Sequence, residues 1–453
     1  MKGTTAGDRH ANRALFTDLY ELTMLQAYVE EGMTGEAVFT VFVRRLPANR
    51  NFLLACGLDA VLEYLERLRF TDEDVAYLRS LGRFSKRLLD FLREFRFQGS
   101  VYAVPEGTPV FANEPILEIV APISQAQLVE TFVMNQIHVH TVMASKGARC
   151  IMAARGRTVI DFGARRTHGI DAALDAARAF HISGIHGTSN VLAGKIYGLP
   201  LAGTMAHSYV QAHEDEREAF RAFAGTFPGT TLLVDTYDTL NGVKRAIELA
   251  TERRGDFQIG AIRLDSGDLA ALAREARRLL DAAGLTEVRI FGSSDLDEYA
   301  IAALVEAEAP IDGFGVGTAM SVSSDAPFLD IVYKLSEYAG EGRMKVSRSK
   351  PILPGRKQVF RLEERGRATG DVIGRFGEAL DGRPLLRLVM QQGRRTLEGE
   401  DDLDSARRRA AEELARLPSD VTSLEPAEPP YQVSVSAALQ QYSLDVQKRV
   451  GSG

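Results

Sequence analysis

The chain has 453 residues, of which 45% are hydrophobic and 25% charged, values typical of a globular protein with a large core and two or three domains. The formal net charge of -7 argues against broad electrostatic binding to nucleic acid but is compatible with local basic pockets for small anions. The two cysteines, Cys56 and Cys150, are too few for a disulfide framework or a cysteine zinc site, so we expect a cytoplasmic location. Residues 1–13 lack the apolar core of a signal peptide, and no run approaches ~20 apolar residues, so no membrane segment is expected.

The first third of the chain predicts an α+β domain. Residues 1–13 are polar and predict a flexible tail, after which Asp18 is a good N-cap for a helix. The elements that follow are, in chain order, a strand at 36–43, helices at roughly 55–68 and 71–95, short strands between 97 and 120, and a long helix from about 124 to 154. We therefore expect an N-terminal α+β sheet domain over residues 14–150, whose last helix bridges into the next domain.

The middle of the chain predicts a parallel sheet, because short apolar runs alternate with helical stretches. The predicted strands lie at 158–162, 199–202, 231–234, 259–264, 288–291 and 313–317. Six strands are fewer than the eight of a complete barrel. The expected fold class is therefore α/β, with an irregular or incomplete α/β barrel as the catalytic domain over residues 151–335. Residues 336–453 predict a C-terminal extension that packs on the N-terminal domain.

Each of the six predicted strands ends in a polar, charged or glycine-rich cluster. The clusters are Asp161-Phe-Gly-Ala-Arg165-Arg166, Gly203-Thr204-Met-Ala-His207, Asp235-Thr-Tyr-Asp238, Arg263-Leu-Asp265-Ser-Gly-Asp268, Gly292-Ser-Ser-Asp295 and Gly313-Phe-Gly315-Val-Gly317-Thr318. An α/β barrel carries its chemistry at the C-terminal ends of its strands. The recurrence of polar clusters there predicts an enzyme site rather than a pattern of core packing.

Two of the clusters predict a phosphate site. The glycines of the 313–318 cluster allow backbone N–H groups to converge on an anion, and loops after the last barrel strands commonly hold phosphate this way. The other interpretation of these glycines is a tight turn between a strand and a helix. Arg165 and Arg166 suit a phosphate or pyrophosphate because a guanidinium donates hydrogen bonds as a fixed fork, although they also fit two surface arginines.

Carboxylates and a histidine complete the predicted site. Asp235 and Asp265 are the favoured pair, suited to orienting ribose hydroxyls, holding Mg²⁺ or stabilising a positive transition state. Asp238 and Asp268 have a structural alternative as N-caps of the helices that follow them. A lone histidine is usually structural, but His207 at a strand end is a candidate general base or phosphorylation site.

Taken together, these motifs resemble the nicotinate phosphoribosyltransferase family along nearly the whole chain. The matching segments are TDLYELTM at 17–24, FGARR at 162–166, GTSNV at 187–191, GTMAH at 203–207, DTYD at 235–238, RLDSGD at 263–268 and GVGT at 315–318. The resemblance implies a type II phosphoribosyltransferase fold and a homodimer with the active site at the subunit interface. It also implies the synthesis of nicotinate mononucleotide and pyrophosphate from nicotinate and 5-phosphoribosyl-1-pyrophosphate, with Mg²⁺ as cofactor and ATP as co-substrate, in NAD salvage.

The resemblance also implies a role for each matching residue. His207 would be phosphorylated by ATP, while Asp235 and Asp265 would orient the ribose and offset positive charge. The implied nicotinate contacts are Phe162, Thr204, Arg263 and, from the partner subunit, Tyr20. The implied contacts to the phosphoribosyl donor are Arg165, Gly292, Gly315, Gly317 and Thr318. Arg166, next to Arg165, is a second candidate cation for the phosphates of the donor.

One position bears on substrate choice. Relatives that use nicotinamide carry a carboxylate two residues after the glycine of the 187–188 segment, where this chain has Ser189, so nicotinate is favoured. The histidines at 138, 140, 181 and 186 are unusual for the family, and we interpret His138, His140, His181 and His186 as structural. Two alternatives remain: a phosphoribosyltransferase for nicotinamide or another pyridine acid, and a catalytically silent relative that binds phosphorylated ribosides as a sensor.

Overall fold

The computed structural model describes residues 13–252, 258–346 and 352–451. The predicted tail at 1–13 therefore lies, except for its last residue, outside the described residues. The chain divides into two compact units, one made of Met1–Ser145 with Ala326–Gly453 and the other of Lys146–Asp325. No helix within the described ranges has the length and apolar character needed to cross a membrane.

The described residues form helices and strands, and most of the strands are short. The helices are α1 (Leu19–Glu31), α2 (Leu58–Arg67), α3 (Asp72–Ser80), α4 (Lys86–Glu94), α5 (Ile123–Leu128), α6 (Glu130–Ala154), α7 (Ile170–Ser183), α8 (Val191–Tyr197), α9 (His207–Gln211), α10 (Glu216–Thr226), α11 (Thr239–Glu252), α12 (Leu269–Ala282), α13 (Glu298–Glu306), α14 (Thr318–Ser321), α15 (Leu403–Arg416) and α16 (Ala437–Gly451). The strands are β1 (Glu36–Val43), β2 (Leu53–Leu54), β3 (Ser100–Ala103), β4 (Pro109–Val110), β5 (Leu117–Pro122), β6 (Thr158–Asp161), β7 (Gly187–Thr188), β8 (Thr230–Leu233), β9 (Ile259–Leu264), β10 (Arg289–Gly292), β11 (Gly313–Val316), β12 (Ile331–Tyr338), β13 (Glu341–Gly342), β14 (Lys357–Glu364), β15 (Arg367–Arg375), β16 (Arg383–Pro384), β17 (Arg387–Gln391), β18 (Arg394–Arg395) and β19 (Val433–Val435).

The Lys146–Asp325 unit is built on a parallel sheet with the strand order β7-β6-β11-β10-β9-β8. The strands are short and mainly apolar, as is typical of a parallel sheet covered by helices. The helix α12 illustrates this covering, since Leu269, Ala273, Ala276 and Leu280 are buried along one side of it. The curled sheet forms half of a barrel, so the predicted irregular or incomplete α/β barrel is confirmed.

One predicted strand is wrong. The apolar run at 199–202 forms only an isolated bridge between Leu201 and Thr188, and the edge strand of the sheet is instead the dipeptide β7. Thr188 is fixed there because its hydroxyl donates to Asp161 Oδ2 at 2.7 Å and its amide donates to Pro200 O at 3.0 Å. A two-residue strand carries no periodicity that could identify it in the sequence.

A second correction concerns the predicted helix at 71–95, which is two helices, α3 and α4. The break falls at Gly82, whose φ of +67° lies in the left-handed region that favours glycine. Ser85 then starts α4 as its N-cap, because its hydroxyl accepts a hydrogen bond from the amide of Leu88. The long helix predicted from 124 is also interrupted, between α5 and α6 at Val129.

The other unit contains an antiparallel sheet with the strand order β13-β12-β1-β5-β3-β17-β18, so it combines strands from both ends of the chain. The same unit holds a buried ion-pair cluster in which Arg361 donates to Asp371 at 2.7 Å and to Glu413 at 3.2 Å. The side chain of Arg361 is 1% exposed, so its charge is compensated by these two carboxylates.

Candidate active site

The C-terminal ends of β6, β9, β10 and β11 surround a cleft of about 410 Å³, the strand-end cleft. Most of the residues that the sequence motifs predicted for phosphate binding line it. The lining residues from the predicted set are Phe162, Arg165, Arg166, Asp265, Gly315, Gly317 and Thr318. Both arginines are exposed on a short helical turn, so the cleft presents two cations to solvent.

The predicted carboxylates and histidine form one polar network at the ends of β8 and β9. Asp235 Oδ2 accepts from the amide of Asp265 at 3.0 Å and from the hydroxyl of Ser266 at 2.6 Å. Asp265 Oδ2 lies 3.6 Å from Nε2 of His207, and Nδ1 of His207 is 3.1 Å from the hydroxyl of Thr236. Both imidazole nitrogens therefore have polar neighbours that fix the orientation of the ring.

Arg263 projects from β9 beside the phenyl ring of Phe162, with its guanidinium carbon 5.9 Å from the ring centroid. One of its terminal nitrogens donates to Met205 O at 3.2 Å, which places the guanidinium next to the 203–207 cluster. Burial lowers the pKa of Arg263, partly offset by the charges of Asp265 and Asp235.

Two buried donor atoms next to this point lack an acceptor among the residues that the structure describes. Nε of Arg263 and the hydroxyl of Thr204 are both buried, and neither finds a hydrogen-bond partner in the described part of the chain. Leaving a buried donor unsatisfied costs free energy. Two unsatisfied donors, one on β9 and one in the 203–207 cluster, are therefore best explained by a ligand that accepts hydrogen bonds.

Two glycines are required by close packing around Phe162. A Cβ atom at Gly315 would lie 2.4 Å from the Phe162 ring, and one at Gly163 would lie 1.4 Å from the hydroxyl oxygen of Ser321. Only glycine fits at these positions without moving the ring or the segment that follows β11. The aromatic ring and strand β11 are thus packed directly against each other.

Ser189 follows the edge strand β7, and its position is fixed through Asp161. The amide of Ser189 donates to Asp161 O at 2.9 Å, while Asp161 Oδ1 accepts from the amide of Gly163 at 2.8 Å. Burial raises the pKa of Asp161, against the effect of its hydrogen bonds. The side chain of Ser189 is exposed at this edge, so a substitution there leaves the core unchanged.

Seven predicted residues are not among those that line the strand-end cleft; five of them are described above, and the other two are Gly292 and Tyr20. Gly292 ends β10, and its nearest neighbour, Ile311, would be at an ordinary 3.4 Å from an added Cβ, so packing does not require glycine there. Tyr20 lies on α1 in the Met1–Ser145 unit and is 45% exposed. Its pKa is raised by burial and by the nearby charge of Glu130.

Glu21, next to Tyr20, is a fully buried carboxyl group, and burial raises its pKa to about 7 despite hydrogen bonds from Thr131 and Thr17. Between pH 4.5 and 7 the unfolded chain has lost this proton while the folded protein retains it, so the stability of the protein should fall as the pH rises through this window. We expect Glu21→Gln to remove this dependence, which is worth a few kcal/mol at most, about 1.4 kcal/mol for each unit of pKa difference. Thermal unfolding midpoints at pH 5.5 and pH 8 measure it.

The matched control is Glu31→Gln, because Glu31 is exposed at the end of the same helix. This variant should keep the wild-type dependence on pH. An unchanged dependence in Glu21→Gln would show that another group is responsible.

Two of the remaining motif aspartates cap helices, as their structural alternative predicted. Asp268 caps α12 by accepting from the amides of Ala270 and Ala271, and Asp238 accepts from the amide of Asn241 at the start of α11. Of the four unusual histidines, three bond to backbone atoms. These bonds are His138 with the amide of Leu329, His140 with Gln136 O, and His186 with the amide of Val159. Nε2 of His138 is an acceptor because the amide of Leu329 donates to it, and burial lowers the pKa of His138.

Three site residues were not predicted as such from the sequence, although each stands inside one of the six strand-end clusters. Thr236 contacts His207, Ser266 contacts Asp235, and the buried Ser293 donates to Asp265 Oδ1. Serine and threonine are common at strand ends, so their presence there does not indicate a site. Their partners lie about 30 residues away in the sequence, so a local sequence pattern could not predict these contacts.

For a metal ion, one oxygen of the predicted site residues that the structure describes is a fitting ligand. Asp235 Oδ1 is buried and lacks a hydrogen-bond partner among the described residues, and a carboxylate oxygen is the ligand that Mg²⁺ prefers. Within the described ranges no group of three or more His, Cys, Asp or Glu side chains is arranged to hold a metal. A cation at Asp235 would therefore need further oxygen ligands from substrate or water.

The fold is shared with two solved enzymes. The crystal structure of human Nicotinic Acid Phosphoribosyltransferase matches with a TM-score of 0.84 and 29% identity, covering 95% of this chain and 99% of the human chain. Nicotinate-nucleotide pyrophosphorylase from Pyrococcus furiosus matches with a TM-score of 0.73 and 24% identity, covering 92% and 98% of the two chains. This chain therefore has the same fold class as these two proteins.

Models of one family cover most of the chain. The Nicotinate phosphoribosyltransferase N-terminal domain matches residues 15–138, the family model matches 158–358 and the C-terminal domain matches 377–443. Nicotinate phosphoribosyltransferase pncB2 of Mycobacterium tuberculosis is 55% identical, with 93% of this chain and 91% of the relative covered. The Bacillus subtilis nicotinate phosphoribosyltransferase is 40% identical over 84% and 80%. This chain belongs to the nicotinate phosphoribosyltransferase family.

Proposed function

We propose that the protein condenses nicotinate with 5-phosphoribosyl-1-pyrophosphate, the phosphoribosyl donor, to form nicotinate mononucleotide and pyrophosphate. The observation that carries this proposal is the pair of unsatisfied donors, Arg263 Nε and the Thr204 hydroxyl, beside a cationic cleft in a member of this family. A planar acid that accepts hydrogen bonds satisfies these donors. The family membership supports the same reaction, since the relatives named above carry it in their names.

The acceptor base would be held by charge and by stacking. The guanidinium of Arg263 donates to the carboxylate of nicotinate, with Thr204 as the second donor. The pyridine ring stacks on Phe162, and Tyr20 from a second copy of the chain closes the other face, which makes the active protein a homodimer. This arrangement aims the ring nitrogen at C1 of the donor, so catalysis relies mainly on orientation.

The donor would occupy the strand-end cleft. Arg165 and Arg166 pair with its phosphates, and the backbone at Gly315, Gly317 and Thr318 borders them. Gly292 ends β10 directly before the lining residue Ser293 and would contact the donor from there. The pyridine nitrogen attacks C1 as the C1–O bond to pyrophosphate breaks and pyrophosphate leaves with the electron pair. Positive charge develops on the ribose, and Asp235 with Asp265 stabilises it. Asp235 Oδ1 would hold Mg²⁺, which would supply positive charge against the departing pyrophosphate.

ATP would act through His207. A ring nitrogen of His207 attacks the γ-phosphorus, the bond to ADP breaks, and water later hydrolyses the phosphohistidine to return the free imidazole and phosphate. Thr236 and Asp265 hold the ring in place for this transfer. A phosphorylated His207 places additional negative charge near Asp265, which links ATP use to metal and donor binding. The whole reaction is one of NAD salvage, expected in the cytoplasm.

The first test is pyrophosphate release by the purified protein with the donor, Mg²⁺ and nicotinate, with and without ATP. Nicotinamide is run in parallel. Release that requires nicotinate and increases with ATP is expected. Release with nicotinamide alone would contradict the assignment of the acceptor, and no release with either base would favour a protein that binds phosphorylated ribosides without turnover.

Ser189 gives a separate prediction on specificity. We expect Ser189→Asp to lower kcat/KM for nicotinate and raise it for nicotinamide, because a new carboxylate repels an acid and accepts from an amide. The exposure of Ser189 makes the fold tolerant of this change. Kinetics with both bases measure it. Ser189→Asn, which has the same size as the aspartate without its charge, is the control, and unchanged selectivity in Ser189→Asp would exclude this role.

A further inference from the structure

A buried ion-pair network lies within the Lys146–Asp325 unit, apart from the residues proposed to touch substrate. The ammonium of Lys146, whose side chain is 1% exposed, bonds Glu298 and also Asp325 Oδ1 at 2.6 Å. Arg149, three residues along α6, donates from Nε to Glu298 Oε1 at 2.9 Å and from a terminal nitrogen to the Tyr299 hydroxyl at 2.9 Å. Two cations and two carboxylates thus balance each other in the interior.

The carboxylate of Glu298 is held ionised by its partners. Burial alone would raise the pKa of Glu298, but the charge of Lys146 and hydrogen bonds from Lys146 and Arg149 lower it. Removing one member of such a network leaves a buried charge without compensation, whereas removing a cation together with an anion preserves the balance.

The two carboxylates are attached directly to the walls of the strand-end cleft. Ser293, Ser294, Asp295 and Leu296 line the cleft, and Glu298 follows them as the first residue of α13. On the other wall, Thr318, Ala319 and Ser324 line the cleft, and Asp325 follows Ser324. Through its bonds to Glu298 and Asp325, Lys146 therefore connects the 293–296 loop to the 318–324 segment.

Each of these two segments contains a serine with a positive φ, +96° at Ser294 and +44° at Ser323. Such conformations are unfavourable for a residue with a side chain and persist only where the surroundings hold the backbone in place. The ion-pair network provides a holding contact within a few residues of each strained position. Without that contact, both segments are expected to relax toward ordinary backbone angles.

We propose that Lys146 is a positioning residue for the phosphoribosyl donor: by joining Glu298 to Asp325 it fixes the two segments that form the phosphate-binding walls of the cleft. The inference rests on the proposed function for the identity of the donor. It concerns the binding of the phosphate-bearing substrate and leaves the nicotinate contacts on β9 and the 203–207 cluster unaffected.

The decisive variant is Lys146→Met with Asp325→Asn, because it cuts the connection while leaving Arg149 paired with Glu298. We expect a KM for the donor that is about tenfold higher or more, a comparable loss of affinity for inorganic pyrophosphate in calorimetry, and a KM for nicotinate within about twofold of wild type. Lys146→Arg, which keeps the charge between the two carboxylates, should recover most of the donor affinity.

Two comparisons separate positioning from stability. Arg361→Met with Asp371→Asn removes an equally buried pair from the other unit and should leave the donor KM unchanged even if the unfolding midpoint falls. Calorimetry with pyrophosphate does not need turnover, so it tests Lys146 even if the wild-type protein proves inactive with nicotinate. A donor KM and pyrophosphate affinity at wild-type values in the Lys146→Met, Asp325→Asn protein would overturn the inference, as would an equal rise in both substrate KM values.

Discussion

Replacing His207 by asparagine should lower the rate with ATP to the rate without ATP, while nicotinate-dependent release of pyrophosphate continues at its basal level. The reason is that asparagine has no nitrogen that can be phosphorylated, whereas the reaction at C1 depends on orientation by other residues. Steady-state pyrophosphate release, together with ADP formation in the same samples, measures both parts of this expectation.

His213 provides the matched control. It lies just beyond the C-terminal end of the short helix that His207 begins, and its Nδ1 is 2.9 Å from Tyr209 O, so it is oriented by the backbone rather than by the site. His213→Asn should retain the stimulation by ATP. If His207→Asn protein is stimulated by ATP to the parental rate, the phosphohistidine is excluded.

Replacing Arg263 by glutamine should lower kcat/KM for nicotinate by about 10- to 100-fold, through a higher KM. Charge-assisted hydrogen bonds are worth about 1.5–3 kcal/mol, which corresponds to this range. Glutamine lacks the positive charge and the fork of donors, and the Thr204 hydroxyl alone cannot replace them. Initial rates at varied nicotinate, with the donor saturating, measure the effect.

The control for Arg263 is Arg289→Gln on the neighbouring strand β10. Arg289 also lies over a phenyl ring, with its guanidinium carbon 5.8 Å from the centroid of Phe291, but it is exposed at the opposite end of the strand from the clusters. Its removal should leave the KM for nicotinate unchanged. An Arg263→Gln enzyme that loses activity with nicotinamide as strongly as with nicotinate would argue that Arg263 supports the site without recognising the carboxylate.

The strands of the half-barrel could mostly be predicted from sequence because each buried strand is a short apolar run followed by a polar cluster. Strand β9 was predicted with its observed limits, and the capping role of Asp268 followed from its place before an apolar-periodic helix. Strand β7 could not be predicted, because two residues carry no periodicity and Thr188 is fixed by hydrogen bonds to Asp161 and Pro200.

The contacts within the site were less accessible to sequence reasoning. The motifs placed Asp235 and Asp265 in one site, but which atoms meet depends on the register of neighbouring strands, in which Leu233 pairs with Arg263 and Leu264 with Gly292. This register brings Ser293 to Asp265. The network around Lys146 depends likewise on tertiary packing, since a lysine within a helix gives no sign of being buried.

The packing of Phe162 against Gly315 constrains how this site can evolve. Phe162 is the ring proposed to stack on the base, and Gly315 is at the strand end proposed to border the donor. The two are in direct contact, because a Cβ atom at position 315 would lie 2.4 Å from the ring. A lineage that enlarges residue 315 must first shrink or turn the side chain at 162. Substitutions at these two positions therefore change the binding of the base and the binding of the donor together. In a mutant library that enlarges residue 315 alone, most variants would have a steric clash with Phe162.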